Sequence, residues 1–298
     1  MKHTSTLVAL IFLLSGCAGS STGTDEPDET ADPGTNDDGR LTLANCSGSA
    51  NGVAAFYTNY FACTDISATT DGTRLSTDGL PPHPSAYYHS DDPNYVAFDD
   101  RGGTHRRNPN TIGVTNFAMT VLDNPVAKGI TITGALVDNR MNTSGEEYSG
   151  GPVGISLNGV VIFAAMAAPG DDLAAEQFTF DSYEAHPAMT TYHYHFNTPG
   201  PLEVLVDRGY SGSSTPGDAD IELYGIMCDG TLVLGCTELD GSAPSTADFD
   251  AQNGHLHDIS AGGTVHFTNR YHTHVCLDQW PDYPFFPEIA YYEETGCR

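Results

Sequence analysis

A Tyr-His-Tyr-His tetrapeptide at residues 192–195 constrains the fold of this chain more than any other stretch. Successive side chains of a β-strand point to opposite faces, so a strand here places His193 and His195 on the same face. Residues two apart on a strand lie roughly 6.5–7 Å from each other, which lets two inward-leaning imidazoles reach one metal ion. The tetrapeptide therefore predicts a strand that presents a pair of metal ligands.

The same His-x-His spacing occurs twice more. One pair is His255 and His257, and the other is His272 and His274 within a Tyr-His-Thr-His stretch. A chain with this histidine content would contain about half of one such pair by chance. The excess is the strongest chemical signal in the sequence, although no regular repeat period accompanies it. The two strands that carry tyrosine-histidine motifs are candidates for structural counterparts.

These motifs resemble the YHYH family, which takes its name from the tetrapeptide. The resemblance runs from about Arg74 to the C-terminus. The matching segments are residues 80–83, 154–160, 192–195, 229–230, 250–254, 271–274 and 296–297, together with His186. Thr273 departs from the tyrosine that the family often repeats, and Glu184 and Ala185 stand where the family usually has glycines. The resemblance implies a shared fold and a histidine-rich site, but no particular reaction.

Four histidines are predicted to be the primary ligands of one transition metal ion. His193, His195, His272 and His274 would supply four neutral nitrogens from two facing strands. Such a set suits Cu or Zn, whereas Ca and Mg prefer oxygen ligands. Protons compete for imidazole, so binding is expected to weaken as the pH falls through 6–7.

Further residues are candidates for supporting roles at this site. The reserve ligands, or the ligands of a neighbouring site, are His186, His255 and His257. The carboxylates expected to accept the second ring N–H of a bound histidine are Glu184, Asp250 and Asp258. Three further histidines lie in a region rich in proline and aspartate. Of these, His89 and His105 are expected to be surface residues, while His83 lies on a segment that matches the family.

The remaining sequence predicts a mainly β protein, a single sandwich or barrel-like domain of short strands with one or two short helices, over residues 41–298. Turn residues separate short apolar runs, and Asn158-Gly159 and Asp229-Gly230 predict hairpins. The first of these hairpins spans residues 155–163, and the other predicted strands are residues 115–122, 129–137, 190–196, 201–206, 221–228 and 231–236. A short helix is predicted at residues 169–177, and residues 53–61 fit either a helix or a strand.

The N-terminus predicts export and a lipid anchor. An apolar run at residues 7–14 suits a signal peptide, which we place at residues 1–16. It ends at Cys17 in a sequence that resembles a bacterial lipobox, and a disordered acidic tether follows over residues 17–40. The alternative is an ordinary secretory signal followed by a chance cysteine. Ala18, directly after Cys17, favours a location at the outer membrane or cell surface of a Gram-negative bacterium. The expected partner is the membrane itself, which the protein would contact through lipidated Cys17.

Cysteine usage agrees with an oxidising compartment. Six cysteines remain after Cys17, and an even number in an exported chain predicts three disulfides. Cys46 and Cys63 would close a short local loop. A regular hairpin at Asp229-Gly230 leaves Cys228 and Cys236 roughly 16 Å apart, which is too far for a disulfide.

Composition excludes one class of function and leaves three open. A net charge of −28 excludes a nucleic-acid-binding protein because phosphate would be repelled. The leading hypothesis is a surface-tethered metal-binding protein that acts in capture, sensing or delivery. The alternatives are a metal-dependent extracytoplasmic enzyme, and a structural or adhesive surface module whose histidines are architectural.

Overall fold

Two β-sheets form the framework of the protein in this computed structural model. The structure describes residues 38–137, 144–167, 173–276, 285–293 and 296. These residues belong to a compact unit that begins at Asp38. The predicted signal peptide, Cys17, most of the tether and Cys297 lie outside the described residues. The expectation of a mainly β protein with few short helices is confirmed.

The smaller sheet has four strands in sequential order. The strands are β1 (Ser49–Asn51), β2 (Asp65–Ala68), β3 (Gly72–Thr77) and β4 (Phe117–Leu122). β1 runs parallel to β2, and the other neighbours are antiparallel. Alternate side chains such as Met119 and Val121 are buried, which is the two-residue period of a half-buried strand. β4 confirms the strand predicted at residues 115–122.

The larger sheet has eight strands in the order β11-β12-β10-β9-β5-β6-β8-β7. Its strands are β5 (Pro152–Ser156), β6 (Val161–Phe163), β7 (Ala185–Ala188), β8 (Thr191–Tyr194), β9 (Leu223–Met227), β10 (Leu232–Leu234), β11 (Gly254–Ala261) and β12 (Thr264–His274). β6 pairs with β8 in parallel, as β10 does with β12, and the other neighbours are antiparallel. Both sheets contribute side chains to one hydrophobic core, for example Leu75 from β3 and Ile155 from β5.

Both predicted hairpins are present. β5 and β6 flank Asn158-Gly159, and β9 and β10 flank Asp229-Gly230. Gly159 and Gly230 have φ angles of 81° and 99°, in the left-handed region that glycine adopts without steric cost. The turn residues therefore fix where each pair of strands reverses.

Two predicted strands are wrong. Residues 129–137 form irregular chain and a turn. Residues 201–206 lie in helix α2 (Pro199–Asp207), which buries Leu202, Val204 and Leu205. Proline near the first position of a helix is favourable because its φ angle is already helical and its missing N–H would have had no partner there. The β-branched valines suggested a strand, and packing of one helical face outweighs that preference.

The helices are short. Residues 53–61 contain helix α1 (Ala55–Tyr60), so the helical alternative is the one observed. Within the predicted helix at residues 169–177, the described part forms a 3-10 turn at Leu173–Ala175. Among the described residues, no helix has the length and apolar character needed to cross a membrane.

Disulfides close the structure at two described places. Cys46 bonds to Cys63, as predicted, and Cys236 bonds to Cys276. Cys228 is also disulfide-bonded, and the prediction that it does not pair with Cys236 is confirmed. The Cys236–Cys276 bond joins the chain just after β10 to the chain just after β12.

The large sheet contains the same four-strand arrangement twice. The first copy is β5 to β8 and the second is β9 to β12, and the strand order is a palindrome about the β5–β9 pair. The registers agree, because Val161 pairs with His193 in the first copy and Leu232 pairs with His272 in the second. The strands that carry the tyrosine-histidine motifs are thus structural counterparts. The sequence shows no repeat period because few of the equivalent side chains are identical.

The segments that precede β7 and β11 agree as well. The amide of Asp181 donates to the carbonyl of Ala185, and the amide of Asp250 donates to that of Gly254, each over 2.9 Å. Each aspartate also accepts a hydrogen bond from a tyrosine hydroxyl of the neighbouring motif, Tyr192 in the first copy and Tyr271 in the second. These equivalences define two copies of one loop that delivers the next strand to the edge of the sheet.

Candidate metal centres

Three histidines of the first copy converge. His186 lies on β7, His193 lies opposite it on β8, and His195 directly follows β8. All three are buried, and they offer one nitrogen each within 4.8 Å of one another. We call them the three-histidine cluster. Strand alternation places His193 and His195 on the same face of the strand. It points Tyr192 and Tyr194 to the opposite face, where both are buried.

Backbone carbonyls fix the ring protons of two of these histidines. The Nδ1 atom of His193 lies 2.9 Å from the carbonyl oxygen of Thr191. The Nδ1 atom of His195 lies 2.8 Å from that of Ala164. A carbonyl oxygen only accepts hydrogen bonds, so both Nδ1 atoms carry a hydrogen. Each neutral ring therefore presents a lone pair at Nε2.

A threonine fixes the third ring. The Nδ1 atom of His186 lies 2.6 Å from the hydroxyl of Thr179. This hydroxyl donates its own hydrogen to the carbonyl of Glu176 over 2.8 Å, so it accepts from Nδ1–H. The Nε2 atom of His186 is then a lone-pair donor too. All three rings have the tautomer and orientation of metal-binding histidines with a supporting hydrogen bond.

The facing nitrogens have no hydrogen to share. The Nε2 atoms of His193 and His195 are 2.9 Å apart, yet both are acceptors in the neutral state. Burial holds the pKa of His193 well below its usual value and lowers that of His195 to about 4, so a proton is not held between them near neutral pH. Two lone pairs at this distance repel each other unless a cation lies between them.

A second cluster forms in the second copy. It joins the carboxylate of Glu238 to the imidazoles of His255 on β11 and of His272 and His274 on β12, and we call it the Glu238 cluster. The Nε2 atoms of His255 and His272 each lie 3.3 Å from a carboxylate oxygen, and that of His274 lies 3.5 Å from one. All four residues are buried.

Two of the three rings in the second cluster repeat the hydrogen bonds of the first. The Nδ1 atom of His272 lies 3.0 Å from the carbonyl of Arg270, two residues earlier, and that of His274 lies 2.9 Å from the carbonyl of Gly235. The Nε2 atoms of His255 and His272 are 2.8 Å apart. The buried Nε2 atom of His274 makes no hydrogen bond. The Nε2 atoms of His272 and His274 thus face a carboxylate, an arrangement that a bound cation would stabilise.

A cavity of about 330 Å³ adjoins the three-histidine cluster. All three histidines line it. Phe163 and Met166 form part of its wall, and the ring of Phe163 stacks on that of His193 at 3.7 Å. The three-histidine cluster therefore faces a space large enough for a small molecule.

The predicted single site of four histidines is wrong in its arrangement. β8 and β12 do not face each other; they lie in the same sheet, five strand positions apart. At about 4.8 Å between neighbouring strands, this separates the two motifs by roughly 24 Å along the sheet. His186 completes the first pair of histidines and His255 completes the second, so the structure forms two clusters where one was expected.

The other predicted residues lie outside both clusters. His257 is exposed on β11. Glu184 forms an ion pair with Arg101 at 2.6 Å. Asp250 accepts the hydroxyl of Tyr271, and exposed Asp258 accepts the amide of Asn269. Asp250 thus holds Tyr271, the residue that precedes His272, through a hydrogen bond.

Sequence reasoning missed both glutamates. Glu238 belongs to the second cluster, and Glu176 has a carboxylate oxygen 3.5 Å from the Nε2 atom of His186. Neither residue neighbours a histidine in the sequence. Both, however, lie between the hairpin and the aspartate loop of their copy. Glu176 follows its hairpin by 13 residues and Glu238 follows its own by four, so no shared spacing marks them, and only the fold brings them to the histidines.

Comparison with known proteins identifies a family for the central part of the chain. Residues 107–251 match the family described as YHYH protein. No curated protein and no solved structure matches the chain. The match confirms the resemblance to the YHYH family over residues 107–251, which contain the three-histidine cluster and Glu238. It ends before His255, so the remaining histidines of the Glu238 cluster lie beyond it.

Proposed function

We propose that the protein binds transition metal ions at both clusters and serves in metal capture, sensing or delivery outside the cytoplasm. The paired Nε2 atoms carry this proposal. The Nδ1 hydrogen bonds of His193 and His195 leave two lone pairs 2.9 Å apart in a buried site. Nitrogen ligands bind Zn at about 2.0–2.1 Å, so one ion can contact both nitrogens. Neutral imidazoles favour Zn or Cu over Mg or Ca.

His83 shows what an architectural histidine looks like in the same fold. Its Nδ1 donates to the carbonyl of Pro84, and its Nε2 accepts from the hydroxyl of Tyr194 at 2.8 Å. Its ring stacks on Tyr183 at 3.6 Å. Every polar atom of this buried ring has a complementary partner. The clustered histidines differ because their Nε2 atoms face one another, and this difference favours metal binding over a purely structural module.

Anchoring at the membrane is the second part of the proposal. The lipobox-like sequence before Cys17 and the polar stretch after it support a lipid-tethered protein at the outer membrane or cell surface. The Cys17→Ser variant should lose lipid labelling and leave the membrane fraction. Unchanged labelling of that variant would refute the anchor without affecting the metal sites.

Metal binding is tested by elemental analysis and calorimetry with Zn(II) and Cu(II) on the purified full chain. Two equivalents are expected for the unaltered protein. One equivalent is expected when His193 and His195 are both changed to Ala, or when His272 and His274 are. The His89→Ala and His105→Ala variants are controls outside both clusters and should bind two. Undiminished binding by the variant that lacks all four motif histidines would contradict the proposal.

A further inference from the structure

The two clusters differ in the group that would complete a metal's coordination. We infer that an ion in the three-histidine cluster keeps one position open to the adjoining cavity. There it takes a small neutral molecule with one oxygen or nitrogen donor and an apolar body. The Glu238 cluster, in contrast, is closed by its own carboxylate. This inference rests on the proposed function and adds a ligand class and a division of roles to it.

Glu238 supplies the fourth group of the second cluster. The Nε2 atom of each of the three histidines lies 3.3–3.5 Å from one of its two carboxylate oxygens. Only 9% of the Glu238 side chain is exposed. Four protein ligands are typical of structural zinc sites, which have no position for an outside ligand.

In the described part of the chain, the first cluster has no such fourth group. Among the described residues, the donors that meet within 4.8 Å there are the three histidines. Glu176 approaches one of them, His186, at 3.5 Å, and 29% of its side chain is exposed. Three histidines with one open position form the ligand set of a catalytic or ligand-exchanging metal site.

The cavity indicates what the open position would receive. Its volume of about 330 Å³ is at the low end of the range for small-molecule pockets, which is ~300–1,000 Å³. Phe163, Met166 and Ala167 give it apolar walls.

The polar groups of the cavity already have partners or carry charge. The side-chain amides of Asn108 and Asn110 both donate to the carbonyl of Pro187. The carboxylate of Glu176 lies beside the cluster and disfavours an anionic occupant. An apolar body with a single neutral donor aimed at the ion fits these walls.

Cobalt(II) spectroscopy with imidazole and 4-phenylimidazole as probes tests the inference. Two variants isolate the clusters: His272→Ala with His274→Ala leaves the three-histidine cluster, and His193→Ala with His195→Ala leaves the Glu238 cluster. Each full-length variant is loaded with Co(II), and its visible absorption is followed as probe is added. Both probes should shift the spectrum of the first variant, and 4-phenylimidazole should bind at least tenfold more tightly because its phenyl ring is buried. The spectrum of the second variant should not change.

The outcomes separate this inference from the proposed function. Failure of both variants to bind Co(II) would overturn the metal sites themselves. Binding of Co(II) with no spectral response in the first variant, or with equal responses in both, would overturn the open position alone. Equal affinity of the first variant for the two probes would overturn the apolar ligand class. The Phe163→Ala change in that variant should remove the preference for 4-phenylimidazole while Co(II) remains bound.

Discussion

At the scale of single residues, the hydrogen-bond partners of Nδ1 define the chemistry. His193 and His272 both donate to the carbonyl two residues earlier, and His195 and His274 both donate to a carbonyl just past the neighbouring parallel strand. The backbone thereby sets ring orientation without any special side chain. His186 is the exception, since its orientation depends on the hydroxyl of Thr179.

Thr179 therefore offers a selective test of ring orientation. The Thr179→Val change keeps the side-chain shape but leaves the buried Nδ1–H of His186 without an acceptor. Loss of such a supporting partner lowers metal affinity by about 10- to 100-fold. Chelator competition would measure this in the variant that lacks His272 and His274. Thr179→Ser, which keeps the hydroxyl, should bind normally, and equal affinities for the Val and Ser variants would contradict the role.

His83 predicts a pH effect on folding. Burial lowers its pKa from 6.5 to about 4. The unfolded chain then binds more protons between these values, so this histidine contributes stability above pH 6.5 that is lost as the pH falls toward 4. The difference between the two pKa values corresponds to about 3 kcal/mol of unfolding free energy. In metal-free protein, His83→Gln should flatten the decline of unfolding free energy between pH 6.5 and 4. His89→Gln, at an exposed site, should not, and identical profiles for all three proteins would contradict the assignment.

Burial also changes an expectation drawn from the sequence. Weak metal binding at pH 5 follows from an ordinary imidazole pKa, which a sequence alone supplies. The lowered pKa values of His186 and His195 place proton competition at lower pH. Such a shift depends on desolvation, and desolvation depends on packing that is not visible in residue spacing.

At the scale of elements, strand alternation and the hairpin turns could be predicted from the sequence, whereas the pairing of the strands in the sheet could not. Alternation placed His193 and His195 on one face, and the Asn158-Gly159 and Asp229-Gly230 turns were found. The sequence did not show which strand lies beside which, so two clusters were merged into one predicted site. Glu238 was missed for the same reason, because only the fold brings it to His255.

The two copies of the sheet differ at one instructive position. Ala185 in the first copy corresponds to Gly254 in the second. A Cβ atom at residue 254 would lie 1.9 Å from the hydroxyl oxygen of Tyr271. That hydroxyl donates to Asp250 over 2.6 Å. The second copy therefore requires glycine where the first tolerates a methyl group.

This asymmetry predicts unequal costs for reciprocal substitutions. Gly254→Ala should destabilise the protein by about 1–3 kcal/mol, because overpacking displaces the ring of Tyr271 from its aspartate. Ala185→Gly should cost only about 0.5–1 kcal/mol through backbone entropy. Urea denaturation of both variants provides the comparison. A smaller loss for Gly254→Ala than for Ala185→Gly would contradict the packing argument.

At the scale of the whole molecule, a duplicated four-strand unit places the two histidine clusters near opposite ends of one sheet. The net charge of −28 gives the protein a field that attracts cations to both sites. The Cys236–Cys276 disulfide lies beside the Glu238 cluster, so the closed site is also covalently held. The cavity lies beside the other cluster. We therefore propose retention for the second copy and exchange for the first.

Anomalous diffraction from crystals grown with Zn(II) tests the central claim most directly. Data collected above and below the zinc absorption edge should show two strong anomalous peaks. One peak should lie about 2.0–2.1 Å from the Nε2 atoms of His186, His193 and His195, and the other at the same distance from those of His255, His272 and His274, with Glu238 as fourth ligand. Peaks confined to surface carboxylates or exposed histidines, with both clusters unchanged and metal-free, would contradict the account.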